Sequence, residues 1–361
     1  MEGSDAKRPA APLRFGIFDW IDDSHRPPAE VYEHRLKLTE YADRAGFWCY
    51  HVAEHHGTPL GLAPSPNLFL ASAAGRTRRI RLGTLVNVLP LHDPVRLVEE
   101  ICMLDHLSQG RLELGVGRGG SPTELVNYGV EGVEEARALY MEVFEMLIAG
   151  LRHGRIEHSG KRFSREATLS LRPYQRPYPP LWFPTSNPES VPWIAQQGLS
   201  TLFGFLVSRA GAASAEMVKQ YEQIWQAHRS DGGRLNHHVA EPLVGHQRHV
   251  YVAETDAEAL RDARTALAGF FANFNHLWLK HQGKEYFSSD FDAFVEQRFL
   301  LVGSPDSVRD QLRQELPKLG GNYFVATFAF GTLAEERSLR SMDLFAREVM
   351  PAMSREVQTP S

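Results

Sequence analysis

The chain has 361 residues, of which 43% are hydrophobic, so it can bury a large core as two domains or as one barrel. Its formal net charge is −5 and it has no long basic run, which argues against a nucleic-acid-binding protein. Its two cysteines, Cys49 and Cys102, are too few for a disulfide framework and are typical of the reducing cytoplasm. Because no apolar stretch resembles a signal segment or a membrane span, we expect a cytoplasmic protein without membrane contact.

Short apolar strands alternate with amphipathic helices, the pattern of parallel βα units. Strands are predicted over residues 14–19, 47–52, 80–88, 111–116, 181–184, 200–207, 249–253 and 323–328. Helices are predicted over residues 31–45, 95–107 and 134–151, and another begins where Ser304 can cap and Pro305 can occupy the first helical position. Residues 173–180 contain four prolines and are predicted to form an extended connector.

Eight βα units in a chain of this length predict a (β/α)8 TIM barrel, with an open doubly wound sheet as the alternative, because periodicity does not report closure. Residues 270–299 fit no βα unit and are rich in aromatic side chains, so we predict a helical insertion that covers the barrel mouth as a lid. The expected organisation is a disordered tail over residues 1–12, a single barrel over residues 13–353 and a C-terminal tail over residues 354–361.

The fourth predicted strand ends in the glycine-rich run Gly115-Val116-Gly117-Arg118-Gly119-Gly120. The amides of such a turn and a guanidinium can together bind an anion, usually a phosphate. The run also satisfies the dinucleotide-binding pattern GxGxxG, but Ser121-Pro122 follows where that pattern needs its helix. A turn that only eases packing between strand and loop is the alternative. We favour a functional Arg118, because barrel enzymes carry functional groups at the C-terminal ends of strands.

The second predicted strand ends in His51-Val52-Ala53-Glu54-His55-His56, which contains the inverted zinc-protease pattern H-x-x-E-H. A metal-dependent hydrolase is therefore one interpretation, although on a strand the two histidines lie too far apart to chelate one ion without distortion. A structural histidine pair is a second interpretation. We favour an imidazole that transfers protons at the end of a strand. Glu54 either orients an imidazole or caps the next turn.

Polar residues at two further strand ends are candidate ligand-binding residues. Asn87 is polar within an apolar strand, so it either faces solvent or reaches a ligand. Thr185, Ser186 and Ser190 follow the fifth predicted strand and precede a helix. Their hydroxyl groups either cap that helix or help to bind an anion at its N-terminus.

The segment Ala53-Glu54-His55-His56 and the glycine-rich turn with Arg118 resemble the bacterial luciferase family of flavin-dependent monooxygenases, and the likeness extends over residues 15–353. The resemblance implies that His55 is catalytic and that Arg118, with Thr185, Ser186 and Ser190, binds the phosphate of FMN. It also implies a non-proline cis peptide at Leu85-Val86 behind the flavin ring, with Asn87 near the ring. Two departures are notable: Gly117 replaces the reactive cysteine of luciferases proper, which argues against light emission, and Thr185 replaces an acidic residue.

The resemblance further implies a monooxygenase that receives reduced FMN from a separate NAD(P)H-dependent flavin reductase and oxygenates a small organic substrate with O2 through a hydroperoxyflavin. A homodimer is expected. One alternative is a deazaflavin (F420)-dependent oxidoreductase of the same superfamily, for which a more basic rim than Arg118 alone would be expected. Others are the metal-dependent hydrolase and a non-catalytic flavin-binding subunit, although the presence of His55 argues against the latter.

Overall fold

The computed structural model describes residues 12–120, 122–203, 212–286 and 288–356. The strands of these segments are β1 (Arg14–Asp19), β2 (Cys49–Val52), β3 (Arg81–Val88), β4 (Leu112–Gly117), β5 (Arg155–Ser159), β6 (Ser164–Thr168), β7 (Leu181–Trp182), β8 (Thr201–Leu202), β9 (Val244–Val252), β10 (Leu300–Gly303) and β11 (Tyr323–Thr327). The α-helices are α1 (Pro28–Ala45), α2 (Pro66–Arg76), α3 (Pro94–Leu107), α4 (Pro122–Val126), α5 (Gly132–His153), α6 (Val191–Gln197), α7 (Ala212–His228), α8 (Asp256–Gln282), α9 (Phe291–Glu296), α10 (Pro305–Leu319), α11 (Glu335–Leu344) and α12 (Met350–Glu356).

Eight parallel strands close into a barrel. The pairing runs from β1 through β2, β3 and β4 to β7, and a bridge between Trp182 and Ser200 joins β7 to β8. Strand β8 pairs with β9, β9 with β11, and β11 with β1, so the ring is complete. The predicted (β/α)8 barrel is therefore confirmed and the open sheet is excluded. All eight predicted barrel strands are present, although residues 204–207 of the sixth lie outside the described residues.

Three strands outside the ring, β5, β6 and β10, were not predicted. Strands β5 and β6 form an antiparallel hairpin, whose mostly exposed, polar residues lack the apolar alternation that marks a strand. Strand β10 begins directly after the segment predicted to be an insertion and pairs with the last four residues of β9. The proline-rich connector contains neither helix nor strand, as predicted, and its Arg176-Pro177 peptide is cis.

Capping residues fix where two of the barrel helices begin. The side chain of Asp93 accepts hydrogen bonds from the backbone amides of Val95 and Arg96 at the start of α3. The side chain of Ser304 accepts one from the amide of Ser307 at the start of α10, which confirms the cap predicted there. Such caps contribute about 1 kcal/mol each to helix stability.

The aromatic segment 270–299 is continuous with a barrel helix. Helix α8 has 27 residues and is about 40 Å long, so the boundary predicted at residue 270 falls inside an unbroken helix. Phe270 and Phe271 are buried in a core cluster, and α9 adds Phe291 and Phe294 to the same cluster. Only the last turns of α8 and the segment that follows it extend over the barrel mouth.

Both predicted tails lie largely outside the described residues. Of the N-terminal tail over residues 1–12, only residue 12 is described. The C-terminal tail was predicted to begin at residue 354, but α12 continues to Glu356, and residues 357–361 lie outside the described residues. Within the described segments, no helix combines the length and the apolar character that a membrane crossing requires.

Candidate active site

A cavity of ≈ 1050 Å³ lies at the C-terminal ends of the barrel strands. This is the face at which TIM-barrel enzymes carry their active sites. Its walls come from the segments after β1, β2, β4 and β7, from the end of β3, and from α5 and α8. Ligand pockets commonly measure about 300–1,000 Å³, so this cavity has room for a large cofactor together with a second molecule.

The ends of β3 and β4 form one wall of the cavity. The Leu85-Val86 peptide is cis, as the resemblance implied, and both residues line the cavity. A Cβ atom at Gly117 would lie 2.8 Å from Cγ2 of Val86, and Gly119 has a φ of +87°. These glycines therefore allow the close packing of β3 on β4, which was one interpretation of the run. The same residues line the cavity beside Arg118 without side chains of their own, which leaves the anion-binding interpretation of the run open.

Arg118, Thr185, Ser186 and Ser190 line the same cavity, so the structure brings together the residues predicted to bind phosphate. The half-buried Arg118 makes no ion pair with any carboxylate of the described residues. Asn187 caps the short 3₁₀ helix of residues 188–190, because its side chain accepts a hydrogen bond from the amide of Glu189. Ser190, which directly precedes α6, makes no capping hydrogen bond. The hydroxyl groups of Ser186 and Ser190 thus remain available, within the described part of the chain, to bind a ligand.

A second guanidinium, that of Arg137, lines the cavity and was missed in the sequence. Arg137 lies on α5, which carries several other exposed charged residues. Its residue type alone therefore does not distinguish it from a solvated surface residue. Its spacing could have done so, because Arg137, Tyr140, Met141 and Phe144 recur at the i, i+3, i+4, i+7 spacing of one helix face. All four line the cavity.

His55 lies on the cavity wall and is held by Glu124 of α4. Nδ1 of His55 lies 2.9 Å from Oε1 of Glu124, and Oε2 of Glu124 accepts a hydrogen bond of 3.2 Å from the backbone amide of His56. When Nδ1–H donates to Glu124, the lone pair of the neutral ring is at Nε2. The indole of Trp20 lies beside the imidazole at a centroid distance of 5.3 Å. The arrangement is that of an imidazole oriented by a carboxylate for proton transfer.

Glu54 orients two other imidazoles, those of His56 and His92. Its carboxylate accepts hydrogen bonds from Nε2 of His56 at 2.8 Å, from Nε2 of His92 at 2.9 Å, and from the amide of Val88 at 2.8 Å. Burial disfavours the charged form of Glu54, but the bonds from His56 and His92 hold its pKa below the usual value. Burial likewise opposes charge on His92, and Glu54 nevertheless raises the pKa of His92. The interpretation of Glu54 as an orienting residue is confirmed.

His51 and Asn87 do not reach the cavity wall. His51 is fully buried inside the barrel, where Nε2 lies 2.9 Å from the Tyr323 hydroxyl, and burial lowers the pKa of His51 to about 3. Asn87 is also fully buried and donates a hydrogen bond to Oγ1 of Thr84, which excludes the alternative that it faces solvent, and it is not among the residues that line the cavity. The described segments contain no group of three or more His, Cys, Asp or Glu side chains that could hold a metal ion.

Aromatic side chains from the segment after β1, from α8 and from the segment after α8 form another part of the cavity lining. Trp20 after β1 and Phe274 of α8 have ring centroids 5.9 Å apart, and Phe274 lies 5.9 Å from Tyr286. Trp278 lies 4.5 Å from Tyr286, with the two rings inclined by 33°. All four line the cavity, and we call them the aromatic wall. Phe270, one turn before Phe274, points into the core and supports Trp20 at 6.2 Å.

Comparison with known proteins identifies relatives over nearly the whole chain. The family model of luciferase-like monooxygenases matches residues 13–323. An uncharacterized protein of Sinorhizobium fredii is 39% identical over 342 residues, which cover 94% of this chain and 96% of that protein. The oxygenase component of the flavin-dependent trigonelline monooxygenase of Acinetobacter baylyi is 27% identical, with 95% of this chain and 96% of that protein covered.

Solved structures show the same architecture. The monooxygenase RslO1 of Streptomyces bottropensis superposes with a TM-score of 0.80 at 27% identity, covering 94% of this chain and 99% of that one. The oxygenating constituent of the 3,6-diketocamphane monooxygenase of Pseudomonas putida, solved with FMN, has a TM-score of 0.76 at 19% identity over 94% and 98% of the chains. A coenzyme F420-dependent reductase of Methanopyrus kandleri shares the fold, with a TM-score of 0.68 at 20% identity over 95% and 100%. The chain therefore belongs to the luciferase-like monooxygenase family and is an oxidoreductase.

Proposed function

We propose that this protein is the oxygenase component of a two-component monooxygenase, which takes reduced FMN from a flavin reductase and uses O2 to oxygenate a small organic substrate. One observation carries the proposal. The cavity combines a polar end around Arg118, which has no described ionic partner, with an imidazole held for proton transfer at His55. The family membership and the flavin-dependent relative support the same assignment.

The residues of the cavity fit an FMN molecule. A phosphate needs cationic and hydrogen-bonding groups, and the cavity offers Arg118, Arg137, Ser186 and Ser190. We propose that these four bind the phosphate and that Leu85 and Val86 contact the flavin ring beside the wall without side chains. Thr185 is proposed to position this loop, because its hydroxyl accepts a hydrogen bond from the amide of Asn187. Asn87 is proposed to act indirectly, by holding Thr84 behind the ring site.

Reduced FMN, when bound, supplies the electrons with which O2 is activated. The chain itself provides binding, orientation, protection from water and a proton. His55 is proposed to transfer a proton at Nε2, while Glu124 holds Nδ1–H and stabilises the charged ring. The cavity-lining side chains of α8 and of the segment that follows it are proposed to act as the lid that excludes water from the cavity. The lid thus comprises Phe274, Leu277, Trp278 and Tyr286 rather than the whole segment 270–299.

A deazaflavin-dependent oxidoreductase is the second candidate, because Arg137 adds the further basic residue that a longer anionic cofactor would need. Equilibrium titration with FMN and with F420, followed by turnover with each reduced cofactor in the presence and absence of O2, tests the two. We expect tight FMN binding and oxygen-dependent product formation with reduced FMN. Tight F420 binding with oxygen-independent turnover would instead assign the protein to the deazaflavin branch.

We further propose a homodimer. Leu68 of α2 and Met103 and Leu107 of α3 are exposed apolar side chains on two helices that pack together. An exposed apolar patch of this kind is typical of a protein–protein contact. Light scattering of the wild type and of the Leu68→Asp variant tests this proposal, since a monomeric variant is expected. Cytoplasmic location stays a prediction; Cys49 and Cys102 are free and buried.

A further inference from the structure

We infer that the substrate of this enzyme is an uncharged, flat aromatic molecule that stacks on the aromatic wall of Trp20, Phe274, Trp278 and Tyr286. The inference rests on the proposed function, because it assigns to the substrate the part of the cavity lined by the aromatic wall and leaves the part lined by Arg118 and Ser186 to FMN. It goes beyond that function by naming the chemistry of the molecule that is oxygenated.

The wall is a continuous surface of rings. The successive centroid distances from Trp20 through Phe274 and Tyr286 to Trp278 are 5.9, 5.9 and 4.5 Å. Phe274 and Trp278 are four residues apart on α8, so both rings lie on one helix face. Aliphatic residues would suffice to bind an alkyl chain. Aromatic rings in addition favour another ring at stacking distance, by about 0.5–1.5 kcal/mol for each pair.

The wall is supported from behind, so its shape is held in place before a ligand binds. Phe270 is fully buried and contacts both Trp20, at 6.2 Å, and Phe274, at 5.9 Å. Asn273 donates hydrogen bonds to Oδ2 of Asp22 at 3.2 Å and to the backbone oxygen of Asp23 at 2.7 Å. These contacts anchor α8 to the segment after β1, which carries Trp20. A preformed aromatic surface of this kind favours rigid ligands over flexible ones, because less order is lost on binding.

The charges near the wall argue against an ionic substrate. Glu54 and Glu124 are the acidic groups near His55, and each is held by imidazoles: Glu54 by His56 and His92, Glu124 by His55. These carboxylates would repel an anionic substrate, and the guanidinium groups among the described lining residues, those of Arg118 and Arg137, are assigned to the phosphate of FMN. A cationic substrate would find carboxylates that already have hydrogen-bonding partners.

Isothermal titration calorimetry tests the inference by measuring the affinity of the FMN-saturated protein for four matched probes. The probes are naphthol, which is neutral and aromatic, decanol, which is neutral and aliphatic, naphthoate, which is anionic, and N-methylquinolinium, which is cationic. We expect naphthol to bind most tightly and naphthoate at least about 10-fold more weakly. Tighter binding of decanol, naphthoate or N-methylquinolinium than of naphthol, or no binding of naphthol, would overturn the inference.

Substitutions in the wall separate stacking from simple burial. Phe274→Leu and Trp278→Leu should each weaken naphthol binding about 3- to 10-fold, and leave decanol binding nearly unchanged, because leucine keeps apolar volume but removes a ring. Trp278→Phe retains a ring and should bind naphthol nearly as the wild type does. Leu279→Ala, at an exposed position of the same helix, is the matched control. Equal weakening of both neutral probes by the leucine variants would show that stacking plays no part.

The affinity for FMN itself distinguishes the two possible failures. Wild type and wall variants should bind FMN equally, because none of the wall residues is among those proposed to bind the phosphate or to contact the flavin ring. If FMN binds but naphthol is not preferred, the substrate inference alone fails. If FMN does not bind to the wild type, the proposed function fails, and the substrate inference fails with it.

Discussion

Nδ1 of His55 lies 2.9 Å from Oε1 of Glu124, although 69 residues separate the two in the sequence. The carboxylate next to His55 in the sequence, Glu54, is bonded to His56 and His92 instead. Consecutive residues of an extended segment point to opposite sides, so Glu54 and His55 cannot both turn toward the same partner. The residue that orients His55 therefore comes from a different βα loop, between β4 and α5.

Glu124→Gln should lower kcat by about 10- to 100-fold and leave FMN affinity nearly unchanged. The substitution keeps a hydrogen-bond acceptor but removes the charge that stabilises the imidazolium formed during proton transfer. Steady-state kinetics and FMN titration of the variant check the effect. Glu134→Gln, at an exposed position in the first turn of α5, is the control and should change neither quantity. An equal loss of FMN affinity would show that Glu124 serves binding rather than proton transfer.

His55→Ala should lower product formation by about 10²- to 10⁴-fold, the usual contribution of a general acid or base. FMN affinity should remain within a few-fold of the wild type, because the imidazole acts on the proton and not on the phosphate. Product formation is to be measured together with hydrogen peroxide release. A variant that forms product at the wild-type rate would remove His55 from the mechanism.

Arg118→Ala should weaken FMN binding by about 10- to 100-fold and leave riboflavin binding unchanged, because a hydrogen-bonded charge contributes about 1.5–3 kcal/mol and only FMN carries the phosphate. Arg137→Ala should have the same selectivity with a smaller loss, because Arg137 is more exposed. The fluorescence of both flavins during titration provides the measurement. Arg96→Ala is the control, since Arg96 is an exposed arginine paired with Glu100 away from the cavity. Equal losses for FMN and riboflavin would contradict the phosphate contact.

Asp22 should make stability depend on pH near neutrality. Its carboxylate is fully buried, with Arg35 3.6 Å away and the amide of Gly331 donating at 2.7 Å. Burial, opposed by Arg35, raises the pKa of Asp22 from 3.8 to about 6. When the pKa of a carboxyl group is higher in the folded state than in the unfolded state, the protonated group stabilises the fold at pH values below its pKa in the unfolded state. This stabilisation is lost as the pH rises through its pKa in the folded state.

We therefore compare the free energy of unfolding of the wild type with that of the Asp22→Asn variant. The wild-type value minus the variant value should fall by about 1 kcal/mol between about pH 5 and about pH 8. Urea unfolding at a series of pH values measures it. Asp256→Asn should show no such change in this range, because the amide of Ser304 holds the pKa of the exposed Asp256 carboxyl below its usual value. A difference that rises with pH would mean that the ion pair with Arg35 outweighs burial, so that Asp22 is charged in the fold.

The sequence by itself determined the alternation of strands and helices, because each barrel strand and helix carries its own apolar pattern and its own capping or breaking residues. It also determined that His55, Arg118, Ser186 and Ser190 share one cavity. Each of them follows a barrel strand, and the C-terminal ends of parallel strands meet at one face of a barrel. The polar hairpin of β5 and β6 was missed because its residues show no apolar alternation.

Only the tertiary structure decided which side chains meet. The pairing of Glu124 with His55, the presence of Arg137 in the same cavity as Arg118 and the burial of His51 depend on how loops and helices from distant parts of the chain pack. The closure of the sheet depends on contacts such as the bridge between Trp182 and Ser200. A local sequence pattern indicates the period of one helix or strand and the side of it that is buried. Which side chains meet across a cavity depends on packing over the whole chain, and no single segment of sequence encodes that packing.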